Sequence, residues 1–201
     1  MTEHIPHSLT AGQEINGFNV TAVTPLDEIE AVAYELRHMQ SGARVLHIHN
    51  GDAENLFSIN FSTPPPDSTG LPHILEHSVL AGSEQFPVRE PFFEMIKMSM
   101  ATFINAMTGP DLTYYPVCSN VKADLFNLAQ VYFDAVFHPL LTEDTCRREA
   151  YHVAPADKND PTGSLTVNGI VYNEMKGAFS NPEGCLYRAA YRGLCPDTLY
   201  G

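Results

Sequence analysis

The sequence is poor in positive charge. Eleven Lys and Arg stand against 24 Asp and Glu, a formal net charge of −13 over 201 residues. Such a balance argues against a nucleic-acid groove or a site for an anionic membrane surface, and it favours a cationic partner. Long apolar runs are missing too: none reaches the roughly 18 residues of a membrane-spanning helix. The opening residues, MTEHIPHSLTAGQ, show neither a charged stretch before an apolar core nor an Arg-rich amphipathic face. No targeting segment is read there, and a cytoplasmic location is expected. Cysteines are few and scattered, at Cys118, Cys146, Cys185 and Cys195, without a C-x-x-C pair. They read as free thiols of a reducing compartment, with a pairing of Cys185 and Cys195 left open. Internal repeats and low-complexity stretches are absent.

What is present suits one domain over residues 1–201, with 44% hydrophobic residues to fill a core. Residues 18–24 alternate as a strand. Residues 31–39 and 43–50 form a hairpin about Ser41-Gly42, and residues 55–63 make a fourth strand, ended by Pro64-Pro65-Pro66. A helix is expected within 67–83, capped by Ser68 or Thr69, with Pro72 in its first turn and Gly82 as its stop. Residues 91–100 also have helical spacing. Residues 102–117 turn to strand character about Gly109-Pro110-Asp111. Residues 121–141 carry the clearest apolar stripe, through Leu125, Leu128, Val131, Tyr132, Ala135 and Val136. Residues 154–164 read as a loop, and a helix over 169–179 continues through residues 186–192. Hairpin-linked strands backed by helices predict an α+β fold, a two-layer sandwich with a mainly antiparallel sheet.

The chemistry lies in His73-Ile74-Leu75-Glu76-His77, an H-x-x-E-H motif. Side chains four apart on a helix are about 5–6 Å apart at Cβ, so both imidazoles reach one ion. Glu76 flanks the same face without needing to ligate. It is placed to take a proton from a metal-activated water and deliver it to a leaving amine. Catalytic zinc usually takes three protein ligands, so a third, distant one is expected. Glu174 in NEMKG is the best candidate, and spacing alone does not choose it over Glu149 or Glu183.

The surrounding segments carry more. FSTPPPDSTGLPHILEHSVLAGSEQFPVREPFFEMI, TFINAMTGPDLTYYPV, VYFDAVFHPLL and GIVYNEMKGAFSNPE follow one another over most of residues 55–183. In order and spacing this run resembles the presequence-protease branch of the pitrilysin/insulinase metallopeptidases, to which H-x-x-E-H belongs. The resemblance implies zinc as cofactor, with His73, His77 and Glu174 as ligands and Glu76 as the base. It implies cleavage of short, unstructured peptides in a chamber closed by the C-terminal half of the same enzyme, which supplies an Arg and a Tyr near the scissile bond. Nothing in this sequence matches that half, so the chain reads as an N-terminal piece of a longer protein. The resemblance also places Asn105 and Ala106 on an edge strand that binds substrate backbone. It puts Leu80, Phe92, Phe93 and Ile96, which share helical faces, in an apolar pocket for the residue before the cut. Two other readings stand beside this one: a non-catalytic binding or structural relative, and a piece of the enzyme that is inert alone.

Overall fold

The computed structural model describes residues 9–200. Residues 1–8, part of the stretch in which no targeting segment is read, and Gly201 lie outside the described residues. The chain divides into two compact units, one up to Ala53 and one from Glu54 onward.

The first unit is an antiparallel meander of β1 (Glu14–Ile15), β2 (Phe18–Leu26), β3 (Ala31–His38) and β4 (Arg44–His49). The β3–β4 hairpin closes as its sequence suggests. Gly42 takes the left-handed conformation (φ 74°), and its N–H donates to the His38 carbonyl at 2.8 Å. Among the described residues of this unit, Val20, Ala31 and Tyr34 are the buried side chains.

The second unit is built on β5 (Asn55–Ser62), β6 (Phe103–Ile104), β7 (Met107–Thr108) and β8 (Leu112–Ser119). Its sheet order is β5-β8-β6, with β7 also paired to β8. Thr113, Tyr115, Val117 and Ser119 are buried at every second position of β8 and so define its inner face. Onto that face pack α1 (Leu71–Val79) and α3 (Lys122–Phe137). Leu128, Tyr132 and Ala135 meet Ile59, Tyr115 and Val117, with Val79 and Leu80 closing the core. Full burial of a side chain such as Leu128 or Val117 contributes about 1.5–3 kcal/mol. The remaining elements are α2 (Pro91–Met98), α4 (Glu143–Glu149), the hairpin of β9 (His152–Pro155) and β10 (Leu165–Asn168), α5 (Ile170–Ser180) and α6 (Pro182–Leu194). Antiparallel sheet backed by helices is the expected α+β arrangement.

Several local expectations change. The N-cap of α1 is Gly70 (φ 76°), with no side-chain cap. Thr69 instead gives its hydroxyl and its N–H to Asp67 Oδ1, which tightens the turn before the helix. The long helix from 169 breaks at Asn181. Its side chain accepts the Glu183 N–H at 2.9 Å while Pro182 opens α6. The helix α4 and the β9–β10 hairpin were not foreseen. Thr142 caps α4 by accepting the Thr145 N–H, Glu143 and Asp144 stand in the first turn, and Arg147 and Arg148 in the last.

The expected strand over 102–117 is also interrupted, at Asn105–Ala106, and Pro116 explains why. Asn105 donates its N–H to the Pro116 carbonyl at 3.2 Å. Proline has no N–H to return, so the Asn105 carbonyl lacks its ladder donor. The Tyr132 hydroxyl fills that place at 3.0 Å, and Asn105 Oδ1 accepts the Ala106 N–H at 2.9 Å. Burial pushes the Tyr132 phenol well above its usual range, which keeps it a donor.

Candidate metal centre

Helix α1 presents the motif as its spacing requires. The rings of His73 and His77 lie 5.0 Å apart, centroid to centroid. Glu174 on α5 closes the group, with Oε2 3.7 Å from Nε2 of His73 and 3.7 Å from Nε2 of His77. These three side chains offer ligand atoms within 4.8 Å of one another, the only such group of three or more ligand-type side chains among the described residues. Ligands about 2 Å from one ion stand roughly 3–3.5 Å apart, so the two carboxylate–imidazole separations of 3.7 Å lie close to ligating distance. Two imidazole nitrogens and a carboxylate are a donor set that zinc accepts.

The position of Glu174 depends on a close backbone approach. A Cβ at Gly169 would lie 2.1 Å from the Ala150 carbonyl oxygen, so only glycine lets the start of α5 meet the end of α4 there. That meeting brings two glutamates to His77 from different sides. Glu174 faces Nε2, while Glu149 Oε2 lies 3.1 Å from Nδ1. Glu149 is buried, and its Oε1 accepts Arg148 Nε at 2.9 Å; Arg148 reaches on to Glu90 at 3.1 Å. The Glu149 hydrogen bond raises the His77 pKa above the ordinary imidazole range, against the opposing effect of burial. Burial pushes the Glu149 carboxyl up, but hydrogen bonds from His77 and Arg148 outweigh it and hold it below its usual value. Glu149 therefore stands behind a candidate ligand, and Glu183 stands outside the group altogether. The pairing of His77 with Glu149 escaped the sequence reading. The sequence held Glu149 only as an alternative third ligand.

Glu76 is 5% exposed, and its Oε2 accepts the Thr108 hydroxyl at 2.6 Å. Glu76, His73, His77 and Glu174 line a broad cleft of about 1890 Å³. Asn105, Ala106, Leu80, Phe92 and Phe93 line it as well, whereas Ile96 does not. Ile96 lies one turn beyond Phe92 and is 47% exposed. Leu80 belongs at once to the cleft wall and to the core. The edge of the sheet at β6 and β7 borders the same cleft through Asn105, Met107 and Thr108.

Fold and cluster together define an α+β domain able to hold one metal ion between two helices, beside a buried carboxylate. Known proteins point the same way. The chain is 45% identical over 189 residues to the mitochondrial presequence protease of Xenopus tropicalis, covering 94% of this chain and 18% of that protein. It is 44% identical over 187 residues to presequence protease 1, chloroplastic/mitochondrial, of Arabidopsis thaliana, covering 92% of this chain and 17% of that one. It is 45% identical over 186 residues to the mitochondrial presequence protease of Saccharomyces cerevisiae, covering 92% and 19%. The crystal structure of pitrilysin shares the fold, with a TM-score of 0.50 and 24% identity over 62% of this chain and 14% of that chain. No family model matches. In sequence the chain groups with the presequence proteases, the branch of the pitrilysin/insulinase family that its motifs resemble, and the likeness to pitrilysin shows the fold alone. It spans less than a fifth of the length of these curated relatives.

These relatives overturn the expected cytoplasmic location, because they are named as mitochondrial or chloroplastic proteins and so point to an organelle. The physical reason is simple. An import signal is a segment separate from the folded domain, so the residues that build the domain carry no record of it.

Proposed function

We propose that the protein is a zinc metallopeptidase acting on short, unstructured peptides, with Glu76 as its general base. One observation carries this reading. His73, His77 and Glu174 converge on one point, while Glu76, on the same helix, stays outside the trio and lines the same cleft. When bound, zinc supplies Lewis-acid polarisation of a carbonyl and acidifies a water. The chain's own residues do the rest. Glu76 takes the water's proton on its carboxylate and returns it to the leaving amine nitrogen. The free edge at β6 and β7 offers main-chain groups to an added peptide strand, a mode that is tolerant of side-chain identity. Asn105 and Ala106 sit at the break in that edge and set where such a strand is held. Leu80, Phe92 and Phe93 form an apolar wall for one substrate side chain. The Glu174 side chain is 55% exposed. With relatives several times longer, this supports a cleft covered by a further half of the enzyme's own chain.

Replacement of Glu76 by Gln in the full-length protein tests the reading. The variant keeps its zinc, because neither imidazole is altered, and loses turnover by roughly 10²- to 10⁴-fold. Near-normal peptide hydrolysis by a zinc-loaded Glu76→Gln protein would remove Glu76 from the role of base.

A further inference from the structure

The Glu76 carboxylate is held by one hydroxyl, and that hydroxyl ends a chain of three. Thr108 Oγ1 lies 2.6 Å from Glu76 Oε2, Thr113 Oγ1 lies 3.4 Å from Thr108 Oγ1, and Thr63 Oγ1 lies 2.8 Å from Thr113 Oγ1. Thr108 and Thr113 are directly opposed across the β7–β8 pairing, and Thr113 is buried, at 3% exposure. An ionised carboxylate only accepts hydrogen bonds. Thr108 therefore gives its single proton to Glu76 and turns its lone pairs towards Thr113. Thr113 can then donate to Thr108, and Thr63 to Thr113, so all three hydroxyls align head to tail on the carboxylate. Chains of this kind polarise one another. The 2.6 Å distance itself lies in the short range typical of a hydroxyl on an anion. A plain cross-strand threonine pair accounts for the Thr108–Thr113 contact, but not for the aim of Thr108 at a buried carboxylate on another element.

We propose that Thr108 is the positioning residue of the general base. It occupies Oε2 of Glu76 and leaves Oε1, which makes no hydrogen bond among the described residues, as the oxygen that takes the proton. The proposal rests on the reading of Glu76 as base and adds which oxygen acts and what aims it.

The test uses the full-length, zinc-loaded protein with Thr108→Val, which keeps the side chain's shape and removes its hydroxyl, and Thr108→Ser, which restores the hydroxyl. Loss of a hydrogen bond to a charged group predicts a fall in kcat of roughly 10- to 100-fold for Thr108→Val. KM and zinc content stay unchanged, and Thr108→Ser recovers most of the rate. A crystal structure of metal-free Thr108→Val is expected to show the Glu76 carboxylate rotated. Wild-type kcat in Thr108→Val, an equal loss in Thr108→Ser, or an unmoved carboxylate overturns the proposal. Should Thr108→Val not fold, Thr108→Ala carries the same test: lower kcat at constant KM supports the positioning role, and unchanged kcat overturns it. Glu76→Gln is measured in parallel. If it remains active, the base assignment itself fails. If it is inactive while Thr108→Val is normal, only the positioning role fails.

Discussion

Replacing Glu149 by Gln probes the frame that aims His77. The carboxylate serves two donors, His77 Nδ1 at 3.1 Å from Oε2 and Arg148 Nε at 2.9 Å from Oε1, and it is only 6% exposed. A carboxylate accepts at both oxygens, whereas an amide accepts at one and donates at the other. With its oxygen turned to His77, the amide sets its NH₂ against the guanidinium, donor against donor. Turned the other way, it pushes the imidazole proton from Nδ1 to Nε2, the atom that faces Glu174 across 3.7 Å. Either orientation forfeits one charge-assisted hydrogen bond, worth about 1.5–3 kcal/mol. Expressed as metal affinity this is a loss of roughly 10- to 100-fold, the usual cost of removing a partner from behind a ligating histidine. Arg148 stays tethered to Glu90 at 3.1 Å, so the local fold is expected to survive. Competition for zinc against a chromophoric chelator, for the wild type and the variant, gives the number. Melting of the metal-free proteins separates ligand aiming from general destabilisation. Unchanged zinc affinity would refute the frame, whatever happens to the melting temperature.

Two further outcomes are expected. Glu174→Gln weakens zinc binding more than Glu149→Gln does, because it neutralises a ligand and not the partner of one. Stoichiometric zinc in that variant after dialysis against a mild chelator would point to another carboxylate. Phe92→Ala opens the apolar wall and reduces cleavage of peptides with Phe before the cut more than of those with Ala there. The lost discrimination is about 1–3 kcal/mol, typical of an apolar pocket. An equal loss on both peptides would mean that Phe92, which also packs against the core, only supports the fold.

How much of this was legible in the sequence depends on how local its cause is. The strand character of residues 112–117 and the stripe of Leu128, Tyr132 and Ala135 follow from one element at a time, and both were readable. The pairing of His73 with His77 was readable for the same reason, since one turn of helix fixes it. Glu149 was not. Its place behind His77 depends on a seven-residue helix too short to show periodicity, and on where that helix docks. Nor could spacing choose Glu174, whose approach to the histidines runs through the contact of Gly169 with the Ala150 carbonyl. The family resemblance named Glu174 only because it carries tertiary information that spacing lacks.

The break in the edge strand lies between these extremes. Pro116 is visible in the sequence, and its missing N–H leaves an unmatched acceptor on the strand that its backbone nitrogen faces. What the sequence leaves open is which neighbour that is and who donates in its place. The answer, Tyr132 to the Asn105 carbonyl, joins the core helix α3 to the edge of the cleft by one hydrogen bond. The same helix thus fills the core through its apolar stripe and fixes the point at which the edge strand is interrupted. Farther along that edge, Thr108 reaches Glu76. Core packing, strand geometry and the aim of the carboxylate are therefore mechanically connected, although no two of these residues are neighbours in sequence.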